Sequence, residues 1–340
     1  MTPAIFGLSG PRLTADEKAF FADCDPVGYI LFGRNCEDRD QLRALTDDLR
    51  SIHGRDRLLI SIDQEGGRVR RMRPPVWIDH PAGGAYADLY RLAPASAIEA
   101  ARVGAELIGR ELAEVGITVD YHPPLDLPQP GAHDVIGDRA LGTEPMQVAA
   151  LGRAILDGLA RSGIVGCIKH MPGHGRSTTD THKSMPTVTA SEEDLAHDLA
   201  PFKALASKCP MGMTGHLLFT AWDSENPATL SHKVVQDIIR TEIGFDGLLL
   251  TDDIDMEALS GSVPERAERA IAAGVDVVLN CWAKMDEMVG IVERIPALSP
   301  EGARRLERVH SAMGPPADSQ PAAELLAKRD ALLALVGKNA

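Results

Sequence analysis

Residues 169–186, KHMPGHGRSTTDTHKSMP, place His170, His174 and His182 beside Lys169 and Asp180 within one short segment. The i, i+4 spacing of His170 and His174 is that of a helical zinc site, but Pro172 and Gly173 between them deny the helix that such a site needs. Asp180 and His182 suit a different chemistry, a carboxylate that orients an imidazole and supports its protonated form for transfer to a leaving group. A third possibility is a polar surface loop whose histidines are incidental. At this level all three stand.

The apolar run IVGCIKH at 164–170 leads into this segment and reads as a buried strand, after which Pro172, Gly173 and Gly175 predict a loop. The same pattern recurs along the chain. Candidate strands are 4–8, 27–32, 57–62, 116–121, 164–169, 211–215, 247–251 and 275–280, about the eight that a closed barrel of alternating strands and helices requires. Between them, Ile98, Ala101, Ala105, Ile108, Leu112 and Val115 recur at three- and four-residue steps and predict a helix over 95–115. Val148, Leu151, Ile155 and Leu159 predict a second, and Val234, Val235, Ile238 and Ile239 a third. Ser191 and Ser231 sit where helix N-caps are expected. An open doubly wound sheet shows the same alternation, but no GxGxxG follows the first strands and no P-loop is present. The expected fold is α/β, a (β/α)8 barrel spanning 1–340 as a single domain, closed by C-terminal helices over 281–340, the last at 321–336 after the linker GPPADSQP.

Composition narrows the function classes. The chain has 340 residues, 44% of them hydrophobic, with a formal net charge of -14 and no compensating basic run, which argues against a nucleic-acid partner. RVRRMR at 68–73 is a short cluster suited to an anionic or hydroxylated ligand. Neither a leader of basic and apolar regions nor a run of membrane-spanning length is present, so a soluble cytoplasmic protein without membrane association is expected. Five cysteines without CxxC pairing suit reduced thiols.

A barrel keeps its reacting groups just past the C-terminal ends of its strands. Asp63, Asp120, His122, Lys169, His170, His216, Asp252, Asp253 and Asn280 all fall there. Asp252, the nearer of two aspartates to its strand, is suited to attack an electrophilic sugar carbon, and strict alternation leaves Asp253 as a structural partner.

GYILFGRN at 28–35, DQEGGRVRR at 63–71, VIGDRALG at 135–142, KHMPGHG at 169–175, DTH at 180–182 and GFDGLLLTDDIDM at 244–256 together resemble the family 3 glycoside hydrolases, specifically the bacterial single-domain β-N-acetylhexosaminidases of peptidoglycan recycling. The resemblance implies a (β/α)8 barrel with Asp252 as nucleophile and His182, oriented by Asp180, as general acid/base. It also implies that Asp63, Arg71, Arg139, Lys169 and His170 hold the terminal sugar. The chain is too short for the second domain from which family β-glucosidases take their acid/base carboxylate, and the histidine fills that gap. Met171 stands where phenylalanine is common in the family, and Asp255 where serine is frequent. Implied further are a two-step retaining hydrolysis without cofactor or metal, and a monomer acting on terminal β-linked N-acetylglucosamine of muropeptides that bear anhydro-N-acetylmuramic acid. Other readings of the same residues are a related β-glycosidase, a glycoside phosphorylase, a metal-dependent hydrolase, or a sugar-binding protein without turnover.

Overall fold

The computed structural model describes residues 1–177, 185–317 and 320–338. Among them the main sheet comprises β1 (Thr2–Gly7), β2 (Pro26–Leu31), β3 (Leu59–Ile62), β4 (Val119–Asp120), β5 (Val165–Gly166) and β6 (Ile168–Met171). A small parallel ribbon follows from β7 (Thr187–Val188) and β9 (Leu218–Phe219), with β8 (Met211–Thr214) between them in sequence. β10 (Leu248–Asp253) and β11 (Val277–Asn280) complete the main sheet. Every pairing in it is parallel, in the order β5-β4-β3-β2-β1-β11-β10-β8-β6. The two outer members, β5 and β6, are consecutive pieces of one run interrupted only at Cys167, so the ends of the sheet meet. The result is an eight-stave α/β barrel, as expected.

Alternation along each stave explains the two cores. Ile5, Ile30, Leu59, Val119, Val165, Met211, Met213, Leu248, Leu250, Val277 and Leu279 fill the barrel interior. Their strand neighbours Ala4, Phe6, Tyr29, Leu31, Ile60, Ile62, Leu249 and Val278 face outward onto the helices, as a period of two residues requires. Leu306 and Val309 of the helix Pro300–Ala312 belong to the interior cluster. That helix lies at the N-terminal end of the staves, where the amide of Leu298 donates to the carbonyl of Met1.

Helix Pro94–Glu114 is buried on more than the predicted stripe. Ala101, Ala105, Ile108 and Leu112 face the core, whereas Ile98 is exposed, and Val103 and Leu107 on another face meet Leu325 of the C-terminal helix Ala322–Leu333. Ser191 caps the helix Glu192–Leu205 through a bond from the amide of Asp194, and the Ser231 hydroxyl accepts from the amide of Val234. The segment Val234–Glu242 is wound as a π-helix and buries Val234, Val235, Ile238 and Ile239 as predicted. β4 is shorter than its apolar run, yet pairing resumes beyond it, where Pro124 bridges Lys169 and the amide of Leu125 donates to the carbonyl of Lys169. The fifth stave reaches Met171, so Lys169 and His170 lie at its C-terminal end, where the run 164–170 places them.

Candidate active site

At the C-terminal end of the staves lies a cavity of about 930 Å³. On its floor the ammonium of Lys169 on β6 donates to Asp63 Oδ1 at 2.9 Å and pairs with Glu65 Oε1 at 2.6 Å. Arg139 grips Glu65 through Nε and Nη2 at 2.9 and 2.7 Å, and Arg71 reaches the other oxygen of Asp63 at 3.1 Å. The DQEGG turn makes this possible. Gly66 has φ +95, and a Cβ there would lie 2.3 Å from the carbonyl oxygen of Pro81, so only glycine lets the chain reverse between Glu65 and Val69. Burial alone would neutralise Asp63, but Lys169 and Arg71 outweigh it and hold its pKa below the usual range. The same competition, won by Arg139 and Lys169, holds Glu65 well below its range. Lys169 is raised despite burial because Asp63 and Glu65 flank it. Five charges are therefore fixed in place where water is scarce.

Asp252 ends β10. Its Oδ1 accepts a 2.8 Å bond from the amide of Asp253, which fixes the carboxylate plane. Burial opposes its charge, yet His170 and His216 overcome that and leave the acid ionised below the usual range. Asp253 behaves oppositely: burial pushes its pKa up to about 6, and the charge of Asp252 adds to this. Asp253 Oδ1 accepts from the amides of Cys281 and Asp255 at 3.2 and 3.3 Å, the structural role expected of it. It nonetheless lines the cavity together with Asp252, contrary to strict alternation. Lys169 and His170 also line it as consecutive residues. Both exceptions fall where the ladder slips, between Leu250 and Asp253 on β10 and between Ile168 and Met171 on β6, and such irregularities interrupt strict alternation at a barrel rim.

His170 Nδ1 lies 2.7 Å from Asp126 Oδ2, while Asp126 Oδ1 accepts from the amides of His170 and His174 at 3.2 and 2.7 Å. One buried carboxylate therefore organises both histidines, whose rings meet edge to face with centroids 5.7 Å apart. Burial, reinforced by the neighbouring His170, pushes the His174 pKa down to about 4. Among the described residues no three His, Cys, Asp or Glu side chains form a metal-binding group. Asp180 and His182 lie outside the described residues. The chain leading to them is packed tightly: a Cβ at Gly175 would fall 1.9 Å from the carbonyl oxygen of Leu127.

Asp63, Arg71, Arg139, Lys169, His170 and Asp252 all line this one cavity. Four other strand-end residues do not. Asp120 and Asn280 are fully buried, His216 spends its ring nitrogens on Thr229 and the carbonyl of Asp253, and burial pushes the His122 pKa down to about 4. Two organising residues escape strand-end reasoning. Glu65 stands in plain view two residues past Asp63, and Asp126 follows a proline pair that hides the end of its stave.

The chain matches the model of the glycosyl hydrolase family 3 N-terminal domain over residues 8–312. It is 36% identical over 318 residues to a beta-hexosaminidase of Bordetella avium, covering 92% of this chain and 89% of that protein. It is 37% identical over 308 residues to one of Methylococcus capsulatus, covering 89% and 90%. Its structure superposes on NagZ from Neisseria gonorrhoeae in complex with N-trifluoroacetyl-D-glucosamine with a TM-score of 0.84 at 30% identity, over 99% and 97% of the two chains. A family 3 beta-N-acetylglucosaminidase from Paenibacillus aligns with the same TM-score and identity but extends beyond it, with 67% of that chain covered. A match over most of its length, on a barrel whose mouth carries an ionised aspartate among paired cations, places the chain in glycosyl hydrolase family 3: it is a glycoside hydrolase.

Proposed function

We propose that the protein is a retaining exo-β-N-acetylglucosaminidase that releases terminal β-linked N-acetylglucosamine from muropeptides during cell-wall recycling in the cytoplasm. The observation that carries the reading is Asp252, held ionised in the cavity that also presents Asp63, Lys169, Arg71 and Arg139. These charged groups are suited to the hydroxyl and acetamido groups of one sugar, with His170 anchored beside them by Asp126. The hexosaminidase names of the relatives support that sugar class.

In the proposed reaction a carboxylate oxygen of Asp252 attacks the anomeric carbon as the bond to the leaving oxygen breaks. His182, oriented by Asp180, gives its proton to that oxygen. The same imidazole then takes a proton from water, whose oxygen attacks the anomeric carbon and returns Asp252 to its free carboxylate. Most retaining enzymes use a carboxylic acid for the proton transfers; an imidazole with an unperturbed pKa of about 6.5 is poised for both directions near neutrality.

The test is turnover of an aryl β-N-acetylglucosaminide and of an N-acetylglucosamine disaccharide by three proteins. Asp252→Asn is expected to lose at least ~10³-fold in kcat on both. His182→Ala is expected to lose on the order of 10²–10⁴-fold on the disaccharide and far less on an aryl glycoside whose leaving group needs no proton. Unchanged turnover in Asp252→Asn sinks the nucleophile assignment, and equal losses for His182→Ala on both substrates sink the acid/base one.

A further inference from the structure

The chain has three tryptophans, and two of them, Trp77 and Trp222, are buried. Trp282 is 58% exposed and lines the active-site cavity. An indole left in water contributes little to folding, so its position calls for another account. The flanking chain is fixed on every side. The amide of Cys281 donates to Asp253 Oδ1, the guanidinium of Arg34 donates to the carbonyl of Cys281, and the ammonium of Lys284 pairs with Asp255 at 2.8 Å and Glu287 at 3.1 Å. Ala283 between them adopts φ 55, a left-handed turn just past the indole. Trp282 is thus an exposed aromatic face on a restrained backbone, two residues beyond the end of β11, the stave paired with that of Asp252.

We propose that Trp282 is the platform of a leaving-group subsite, on which the pyranose ring attached to the departing oxygen stacks through its C–H face. This rests on the exo-glycosidase reading above. In that reading the terminal sugar occupies the floor, where Lys169 is almost wholly buried, so the remainder of the substrate must run toward the mouth. The space allows it: 930 Å³ lies at the upper end of the ~300–1,000 Å³ typical of pockets for molecules larger than one sugar ring. Lys284, already shared between two carboxylates, restrains the loop and leaves the indole as the recognition element.

The experiment compares N,N′-diacetylchitobiose with methyl β-N-acetylglucosaminide, whose leaving group carries no second ring. In Trp282→Ala the ratio of kcat/KM for the disaccharide to that for the methyl glycoside is expected to fall about tenfold, mainly through KM, and Trp282→Phe to recover most of it. Trp77 and Trp222 are buried and also emit, so the background without Trp282 identifies which part of the signal belongs to it. The disaccharide is expected to shift the emission of the Asp252→Asn protein and to leave that of the Asp252→Asn, Trp282→Phe protein unchanged. An unaltered selectivity ratio, or an emission shift that persists without Trp282, overturns the platform. If the wild-type protein hydrolyses neither glycoside while the disaccharide still shifts emission through Trp282, the subsite stands and the hydrolytic reading falls. If neither turnover nor a shift is seen, both fall.

Discussion

Glu65 serves two cations at once. Its Oε1 is shared by Lys169 and Arg139, and its Oε2 takes the second Arg139 bond, so three side chains that meet sugar in the proposed reaction derive their positions from it directly or through Asp63. Removing the charge leaves two buried cations partly uncompensated, a change that costs about 3–5 kcal/mol in buried networks. Glu65→Gln is therefore expected to lower the melting temperature and to raise KM more than it lowers kcat, measured by thermal unfolding and initial rates. A KM unchanged within twofold would show that the cations hold their places without it. This residue also marks the limit of reading single positions. Asp63, Lys169 and Asp252 were legible because each follows an apolar run. Glu65 and Asp126 act through partners 74 and 44 residues distant, which no local pattern contains.

At the scale of the element, the staves and their helices were legible from period alone, since alternation of two and a repeat near 3.6 are imposed by backbone geometry. Register was not. The slips on β6 and β10, where Lys169 with His170 and Asp252 with Asp253 line one cavity, arise from how neighbouring staves pair, and nothing in either apolar run signals them. Helix Pro94–Glu114 likewise has a second buried face that its stripe did not signal, with Val103 and Leu107 turned to the C-terminal helix, while Ile98 is left exposed. The apolar cluster at that contact, Val103, Leu107 and Leu325, is separate from the main core, with Leu325 at its centre. Leu325→Ala is expected to cost roughly 2–3 kcal/mol, toward the low end for buried leucine, because a peripheral site collapses more readily than a central one. Denaturant titration measures it; a loss below about 0.5 kcal/mol would mean that the C-terminal helix adds nothing to the stability of the barrel.

At the scale of the whole molecule, burial acts in one direction on six of the described histidines. His53, His80, His122, His174, His216 and His310 all have pKa values lowered, chiefly by burial. As pH falls below about 6.5 the unfolded chain takes up protons at these positions that the folded chain refuses, down to about 4 for His122 and His174. Stability present above pH 6.5 is thus lost across that window. Asp120, Asp198 and Asp253, raised chiefly by burial, oppose it, since the folded chain binds their protons more tightly and gains stability on acidification. Six groups act against three, with each net proton worth at most about 1.4 kcal/mol per pH unit. The melting temperature is expected to drop between pH 7 and 5, before ordinary carboxylates titrate; a flat or rising profile would contradict the balance.

The cluster on the cavity floor has one more outcome. Asp63 and Glu65 already answer Lys169, Arg71 and Arg139 before any ligand arrives, so an uncharged saccharide exchanges places with solvent and not with mobile ions. Added sodium chloride acts on exposed charges over distances near 10 Å and reaches buried contacts weakly. KM for an uncharged disaccharide should then vary less than roughly twofold between about 0.05 and 0.5 M salt, even though the chain as a whole bears a net charge of -14.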